Sequence, residues 1–256
     1  MEVFYTVEDQ YTSFEAYLSE EHREHLHKNG LSNAVISGRP YYSIDDNVRE
    51  YLVADWGFPE YKVEPEGLVI PRYHLGVEEM PPQIRYDIPR VDEHGDEHRY
   101  DSVSGSGGIL DIHPAAAAYL TEIEIPLWTP ESIKGADALL SRGRLAVGFQ
   151  GVWGWSLNGR PAPGWRKVPL AGRVVFVAFD SDVHRRKVLQ VAIKRYSNYL
   201  KYEREAVVYI AKVPQPGYEK VGVDDHLGSF EGFSDAADAA DAVFGRNFSV
   251  AGGVHK

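Results

Sequence analysis

The pattern of apolar and polar positions changes character near the middle of the chain. In the first part, apolar residues recur at helical spacing and predict helices over 12–30, 31–39 and 45–57. Further along, alternating or β-branched runs separated by Pro, Gly and Asp predict a small antiparallel sheet. Its strands are expected at 67–73, 82–90 and 98–103, with a hairpin turn at 91–98.

From residue 121 onward, strands and helices alternate. Strands are predicted at 124–129, 145–149, 172–180 and 205–214, and helices at 131–143 and 183–201. The near-continuous apolar runs 172–180 and 205–214 are typical of parallel strands that are buried on both faces. The alternation predicts an α/β fold with a mainly parallel sheet flanked by helices and right-handed crossovers, preceded by a smaller α+β region.

The second long helix is predicted to be amphipathic. Its inner face is expected to consist of Val188, Val191, Ala192, Tyr196, Tyr199 and Leu200. The Gly- and Ser-rich segment 102–114 separates the two patterns and indicates a flexible connector, because it lacks the Lys-Ser/Thr ending of a P-loop. We therefore divide the chain into an amino-terminal domain (1–115), an α/β domain (116–232) and a carboxy-terminal helix and tail (233–256).

Composition and the distribution of apolar residues add further constraints. The chain has 256 residues, 43% of them hydrophobic, which is enough for a core, and no cysteine, which excludes disulfides and thiolate chemistry. No apolar run reaches the length of about 18 residues that a membrane helix needs, and the first residues show no secretory pattern. We expect a cytoplasmic protein with no membrane partner.

Charge is unevenly distributed along the chain. Residues 1–120 hold 9 Lys and Arg against 23 Asp and Glu, whereas residues 121–256 hold 18 against 15. A negatively charged first half argues against DNA binding by that half alone, while the second half is compatible with a nucleic-acid partner. A solubilising acidic surface explains the first half equally well.

Acidic residues follow three predicted strands. Glu131 comes directly after the strand at 124–129, and Asp180 and Asp182 after the strand at 172–180. Asp224 and Asp225 follow the strand at 205–214 and its loop. Because ligands of α/β sheets bind beyond the carboxyl ends of the strands, we expect these carboxylates to converge there.

The Asp-Ser-Asp segment suggests a metal ion. If Phe179–Asp182 is extended, Asp180 and Asp182 point to the same side, and two carboxylates facing one point repel unless a cation lies between them. Mg²⁺ prefers such hard oxygen ligands, and a third carboxylate would complete a site for phosphoryl chemistry. The alternative is a helix N-cap with a solvated neighbour, since Asp182 precedes a predicted helix.

The order of these residues resembles the TOPRIM domain of bacterial DnaG-type primases, topoisomerases and related nucleases. A closer resemblance is to an uncharacterised TOPRIM-like family, a domain of unknown function found in phages, plasmids and replication proteins of mobile elements. The segments that carry it are PLWTPESIKGADALLSRG, AVGFQGVWGW, LAGRVVFVAFDSDV and KVGVDDHL. It extends over residues 20–230, since GLVIPRY, IRYDIPR and GGILDIHP also resemble that family.

The resemblance implies a role for each acidic residue. Glu131 matches the TOPRIM glutamate, which acts as a general acid/base or metal ligand. Asp180 and Asp182 match the Asp-x-Asp metal ligands, and Asp224 and Asp225 match the last acidic motif. The implied cofactor is Mg²⁺ or Mn²⁺.

Two basic residues match the family as well. Lys134 matches the basic position after the glutamate, and Lys220 the basic position before the last acids; the resemblance places both in the catalytic machinery. The chain departs from the family pattern at Ser132, where glycine is usual, and at Gly135, where relatives tend to have a second lysine. It also has no zinc ribbon and no helicase P-loop.

Further residues are candidates for contact with nucleic acid. Trp153 and Trp155 lie beside glycines in a loop and would stack on bases, or else pack as a cap over the sheet. Arg185, Arg186 and Lys187 begin the helix next to the acidic pair and would meet phosphates, or else form a solvated helix face.

Together these features predict a TOPRIM-type, divalent-metal-dependent protein acting on nucleic acid, with primase-like nucleotidyl transfer in phage, plasmid or mobile-element replication as the leading hypothesis. Its partners would be single-stranded DNA or RNA, nucleotides, and a helicase or polymerase subunit. Two alternatives remain open: a nuclease that uses the same carboxylates on DNA or RNA, and a non-catalytic binding subunit of a replication complex.

Overall fold

A computed structural model of the protein describes residues 17–184, 186–211, 213 and 220–228. The predicted carboxy-terminal helix and tail (233–256) and the first residues of the predicted helix at 12–30 lie outside the described residues. Across the described ranges, no helix combines the length and apolar character that crossing a bilayer would require.

The described residues of the first part form four helices and an antiparallel sheet. The helices are α1 (Glu20–Lys28), α2 (Asn33–Gly38), α3 (Asp46–Ala54) and α4 (Glu60–Val63). The strands are β1 (Tyr42–Ser43), β2 (Gly67–His74), β3 (Glu78–Val91) and β4 (Glu97–Ser102), paired in that order. Side chains of Ser19, Ser32 and Asp45 accept hydrogen bonds from the free amides that begin α1, α2 and α3.

The antiparallel sheet matches the prediction from alternation. Val69 pairs with Ile84 across β2 and β3, and both are buried in a core shared with Val48 and Leu52 of α3. The hairpin between β3 and β4 closes where the Asp92 amide donates to the Asp96 carbonyl at 3.0 Å. The alternating pattern therefore identified β2, β3, β4 and the turn, whereas the short strand β1 was not predicted.

The second part contains a parallel sheet with helices. Its strands and helices are β5 (Leu127–Pro130), α5 (Ile133–Leu140), β6 (Ser156–Leu157), β7 (Arg160–Pro161), β8 (Val174–Ala178), α6 (Lys187–Asn198), β9 (Val207–Ile210) and α7 (Val223–Gly228). Short 3-10 helices occupy Pro114–Tyr119, Pro163–Lys167 and Ser181–His184, and a π-helical turn, Tyr199–Glu203, follows α6. β6 and β7 form a separate hairpin.

The central strand of the parallel sheet is β8, which pairs with β5 on one side and β9 on the other. Val175 and Val177 face a core that includes α6, whereas Val174 and Phe176 face the core that includes α5. Burial on both faces explains the continuous apolar run of this strand and confirms the predicted α/β class.

Two strand predictions need correction. The strand β9 was expected to be buried, but Val207, Tyr209 and Ile210 are exposed because β9 is the edge of the sheet that the described residues form. The segment 145–149 is not a regular strand; it forms isolated bridges from Ala146 and Gly148 to neighbouring segments. A run of apolar residues indicates buried or half-buried positions, but it does not show which segments of the chain pack against them.

The inner face of α6 is rotated from the prediction. Val188 and Val191 are exposed, whereas Leu189 and Ile193 are buried with Ala192, Tyr196, Tyr199 and Leu200. The predicted face therefore holds for the last four residues of the set and is wrong at its beginning.

The segment 102–114 was predicted to be a flexible connector, but its second half is part of the core. Leu110 and Ile112 are buried, and Asp111 is fully enclosed, with its amide and carbonyl bonded to Gly148. The Asp111 carboxylate pairs with the Arg39 guanidinium at 2.6 Å, and Arg39 also pairs with Asp137 of α5 at 2.6 Å. This ion network ties the end of α2 to the second part of the chain.

Candidate metal centre

Two buried carboxylates meet at the carboxyl edge of the parallel sheet. β5 and β8 run parallel with Pro130 opposite Ala178, so Glu131 and Asp180 leave the sheet at the same edge. Both are buried. The Lys220 ammonium lies 2.6 Å from Glu131 Oε1 and 2.7 Å from Asp180 Oδ2, so one cation bridges the two acids.

The electrostatics of this pair reflect burial and repulsion. Burial and the neighbouring Glu131 carboxylate raise the pKa of the Asp180 carboxyl well above its ordinary value, against the opposing effect of Lys220. Burial alone would lower the pKa of Lys220, but the charges of Asp180 and Glu131 hold it above its ordinary value. Among the described residues, Glu131 Oε2 is buried without a hydrogen-bond partner. The acids therefore retain acceptor capacity that the ammonium does not use.

The Asp182 side chain is not placed by an extended segment as predicted. Ser181–His184 forms a 3-10 helix, so period-two alternation does not apply and the predicted common direction of Asp180 and Asp182 has no basis. Asp182 Oδ2 lies 3.5 Å from Arg186 Nη1, while Oδ1 is buried and lacks a partner within the described ranges. Nor does Asp182 occupy the N-cap of α6, which is Arg186.

The last acidic pair begins α7 and surrounds Gly222. A Cβ added at Gly222 would lie 2.6 Å from Asp224 Oδ1, 3.2 Å from Asp225 Oδ2 and 3.6 Å from Asp180 Oδ1. The Gly222 amide donates to Asp225 Oδ2 at 3.0 Å. A side chain at this position would displace the Asp224 carboxylate, and the three distances show that Asp224 and Asp225 lie on the side of Asp180.

The Lys134 side chain connects the last acids to the first helix. It is buried, and its Nζ lies 3.0 Å from Asp224 Oδ2, donates to Asn29 Oδ1 at 2.6 Å and lies 3.2 Å from His25 Nε2. Burial and the Lys134 charge lower the pKa of His25 to about 3, so the imidazole is neutral and accepts this bond. Asn29 Nδ2 also donates to Asp225 Oδ1 at 3.0 Å.

Sequence reasoning missed the contacts that His25, Asn29 and the Ser181 hydroxyl make here. His25 and Asn29 are 109 and 105 residues from Lys134, so no local spacing connects them to it. Ser181 lies inside the predicted motif, and its Oγ accepts from the Val221 amide at 2.8 Å while its own amide donates to the Val221 carbonyl. This pair of bonds holds Lys220 and Gly222 against the end of β8.

The loop that carries Trp153 and Trp155 is attached to the backbone of Glu131, whose carbonyl accepts a hydrogen bond from the Gly151 amide at 2.9 Å. Trp155 is buried and stacks on Tyr199 at 5.5 Å, so the packing alternative holds for Trp155 and its proposed contact with a base is wrong. Trp153 is exposed. The loop thus supplies one buried anchor and one accessible ring.

The basic residues at the start of α6 divide as follows. Arg186 is mostly exposed and pairs weakly with Asp182, and Lys187 is exposed on the first turn. Arg185 lies outside the described residues. The two described residues therefore remain accessible to a phosphate.

A hard divalent cation fits the chemistry of this edge, although within the described ranges no three acidic or histidine side chains form a ready-made metal cluster. All the donors are carboxylate oxygens, as Mg²⁺ and Mn²⁺ prefer. Glu131 Oε2 and Asp182 Oδ1 are buried acceptors without partners among the described residues. A cation already lies between Glu131 and Asp180 in the form of the Lys220 ammonium.

One family model matches the segment that contains this edge. A family model described as "Domain of unknown function (DUF3854)" matches residues 117–230, which include every residue of the candidate centre except His25 and Asn29. No curated protein matches the chain. The resemblance to a domain of unknown function is thus confirmed for this segment.

Solved primase structures share the fold. The zinc-binding and RNA polymerase domains of Aquifex aeolicus primase align with a TM-score of 0.56 at 14% identity, over 88% of this chain and 56% of that chain. The RNA polymerase domain of Mycobacterium tuberculosis primase DnaG gives 0.56 at 12%, over 89% and 77%, and the E. coli primase catalytic core gives 0.53 at 18%, over 85% and 71%. The chain therefore spans little more than half of the first of these, and at such identities the likeness concerns the fold.

Proposed function

We propose that the protein is a primase-like nucleotidyltransferase that acts on single-stranded nucleic acid and depends on Mg²⁺ or Mn²⁺. One observation carries the proposal. Glu131 and Asp180 leave neighbouring parallel strands, are buried, and share the Lys220 ammonium at the carboxyl edge of the sheet, in a fold that primase catalytic cores also have.

The acidic residues would divide the work of holding the metal and the proton. Asp180, Asp182 and Asp224 would hold the divalent ion, with Asp225 beside them, and the bound ion would supply positive charge to phosphate oxygens. Glu131 would accept the proton of the attacking hydroxyl at Oε2, the buried oxygen that has no partner among the described residues.

The two lysines would have different tasks. Lys134 is buried and held by Asp224, Asn29 and His25, so its role would be to fix the position of the last acids. Lys220 is 48% exposed at its side chain and so is accessible to a phosphate, whose charge it would neutralise. Arg186 and Lys187 would contact the nucleic-acid backbone.

Primer synthesis is the direct test. Labelled ribonucleotides should be incorporated on a single-stranded template when Mg²⁺ or Mn²⁺ is present. The double substitution Asp180→Asn with Asp182→Asn should abolish incorporation, whereas Asp55→Asn, at an exposed carboxylate of the first part, should leave it unchanged. Incorporation that survives the double substitution would show that the carboxylates do not carry the reaction.

A nuclease and a binding subunit remain the alternatives. The same carboxylates serve hydrolysis as readily as transfer, and loss of a labelled oligonucleotide in the same reactions would identify a nuclease. The binding alternative is favoured by one observation, since the Lys220 ammonium already bridges Glu131 and Asp180. A chain inert in both assays that copurifies with a helicase or polymerase would support it, and replication of phages, plasmids or mobile elements would be the setting.

A further inference from the structure

The loop that carries Trp153 is fixed at both ends. At its start, the Gly151 amide donates to the Glu131 carbonyl at 2.9 Å. At its end, the Trp155 ring packs on Tyr196 and Tyr199, and the Trp155 carbonyl accepts from Trp165 Nε1 at 3.0 Å. The loop is therefore attached to the candidate metal centre on one side and to the core on the other.

The backbone of Trp153 is held within this loop. The Ser156 amide and hydroxyl both donate to the Trp153 carbonyl, at 3.0 and 2.9 Å. Yet the residue keeps 38% of its surface exposed, in contrast to the buried Trp155. An indole on a rigid loop, with one part in solvent, loses little conformational entropy when it binds a flat partner.

A cation lies over the exposed ring. The guanidinium carbon of Arg195 is 5.8 Å from the centroid of Trp153, within the range of a cation–π contact. Arg195 is itself exposed on α6. We call these two side chains the Trp153–Arg195 platform.

The exposed face of α6 connects the platform to the metal centre. Lys187 and Arg195 lie eight residues apart and so share a helix face, about 12 Å from one end to the other, and Lys194 is exposed next to Arg195. At the start of α6, Arg186 lies 3.5 Å from Asp182. A row of positive charge therefore leads from the carboxylates to the aromatic ring.

We infer that the Trp153–Arg195 platform binds an unstacked base of single-stranded nucleic acid, and that Lys187 and Lys194 contact the phosphates between this base and the metal centre. Aromatic stacking with flanking cations is the chemistry by which proteins hold single strands without sequence preference. The inference rests on the proposed function for the identity of the ligand and adds the position at which the strand is held.

Base stacking and charge can be separated by comparing two oligonucleotides. The full chain is titrated with a fluorescent oligothymidylate of about 20 nucleotides and with an abasic strand of equal length and charge, at low salt and with EDTA. Fluorescence anisotropy gives both dissociation constants. The wild-type chain should bind the thymidylate at least about fivefold more tightly, the preference expected from one base–aromatic contact.

Substitutions assign this preference to the platform. Trp153→Ala should reduce the ratio of the two dissociation constants to near one, while Trp153→Phe, which still stacks, should keep part of it. The matched control is Tyr61→Ala, because Tyr61 is also exposed and also lies under a guanidinium, that of Arg90 at 5.4 Å, but in the amino-terminal part. Its ratio should equal that of the wild type.

Two results would overturn the inference: a wild-type chain with no preference for the thymidylate, or a Trp153→Ala chain that keeps the full preference. An unchanged thermal midpoint for Trp153→Ala verifies that the fold is intact. Because neither metal nor nucleotide is present, the outcome is independent of primer synthesis. A chain that makes no primers but loses its base preference with Trp153→Ala would sustain the platform and remove the proposed reaction.

Discussion

Among the described residues, the buried ion cluster around Arg39 and the one around Lys220 differ in how completely their charges are paired. In the first, the Arg39 guanidinium and the groups around it supply donors to all four carboxylate oxygens of Asp111 and Asp137, at 2.6 to 3.1 Å. In the second, Glu131 and Asp180 share one partly exposed ammonium, and Glu131 Oε2 has no partner among the described residues.

The difference shows that burial of charged side chains does not by itself distinguish a structural role from a functional one. A fully paired cluster holds the structure together, as the Arg39 cluster does between α2, Asp111 and α5. A cluster of like charges that leaves acceptors unused stores unfavourable free energy, which is retained where it serves binding or catalysis. Substitution of Arg39 should therefore lower the stability, whereas substitution of Asp180 should lower the activity without lowering the stability.

The largest effect should come from breaking the paired cluster. Arg39→Met leaves two buried carboxylates without their cation, and the free energy of unfolding should fall by about 3–5 kcal/mol. Urea denaturation measures it. Arg23→Met, at a half-buried arginine 3.8 Å from Glu20, should change the same quantity by less than about 0.5 kcal/mol. A loss below about 1 kcal/mol for Arg39→Met would contradict a structural role.

The unpaired cluster should respond in the opposite sense. Asp180→Asn removes a carboxylate whose pKa burial and Glu131 raise, so the free energy of unfolding should stay constant or rise by about 1 kcal/mol. Activity should fall at least about 100-fold, the scale of losing an electrostatic contact to the transition state. Denaturation and primer synthesis on one preparation check both. Stability that falls by more than about 2 kcal/mol would place Asp180 with Arg39 as a structural residue.

How far the sequence predicted this molecule depended on the range of the interactions involved. The strand β8 and its acidic terminus were evident because Val174–Ala178 is apolar on both faces and a strand end is a local feature. The exposure of β9 was not evident, since a run of apolar residues looks the same at the edge and the centre of a sheet. The inner face of α6 was mispredicted at its beginning, where Val188 is exposed and the adjacent Leu189 is buried. Both residues are apolar, so the pattern did not show which of them faces the core.

The candidate centre shows the same limit. Glu131, Asp180 and Asp224 could be named from strand order and from a resemblance, and the parallel pairing of β5 with β8 brings the first two together. His25 and Asn29 could not, because their contacts with Lys134 join α1 to α5 across more than one hundred residues. The direction of Asp182 depended on a local 3-10 turn that an extended pattern does not predict.

An intermediate effect is expected at Asn29, which bridges Lys134 and Asp225. Asn29→Ala removes an acceptor from a buried ammonium and a donor to a carboxylate, so the free energy of unfolding should fall by about 2 kcal/mol. The exposed Asn47 of α3 provides the control, where substitution by alanine should have an effect within about 0.5 kcal/mol. Equal effects at the two positions would show that the contact between α1 and α7 contributes nothing.

The smallest effect concerns the cation that bridges the two acids. In EDTA, Lys220→Met should lower the free energy of unfolding by about 1 kcal/mol, because Glu131 and Asp180 then lose the hydrogen-bond donor that they share. Mn²⁺ should restore more stability to this variant than to the wild type. Lys28→Met, at an exposed lysine, should have the free energy of unfolding of the wild type in EDTA and should gain no more stability from Mn²⁺ than the wild type does. A variant insensitive to Mn²⁺ would argue that the ammonium does not stand where a metal binds.

The central claim is that the carboxylates at the carboxyl edge of the parallel sheet bind a divalent metal. Titration of Mn²⁺ followed by electron paramagnetic resonance measures this without any reaction. The wild-type chain and Asp55→Asn should bind Mn²⁺ with the same affinity, and Asp180→Asn should bind it at least about tenfold more weakly. Equal Mn²⁺ affinity in the wild type and in Asp180→Asn would contradict the account.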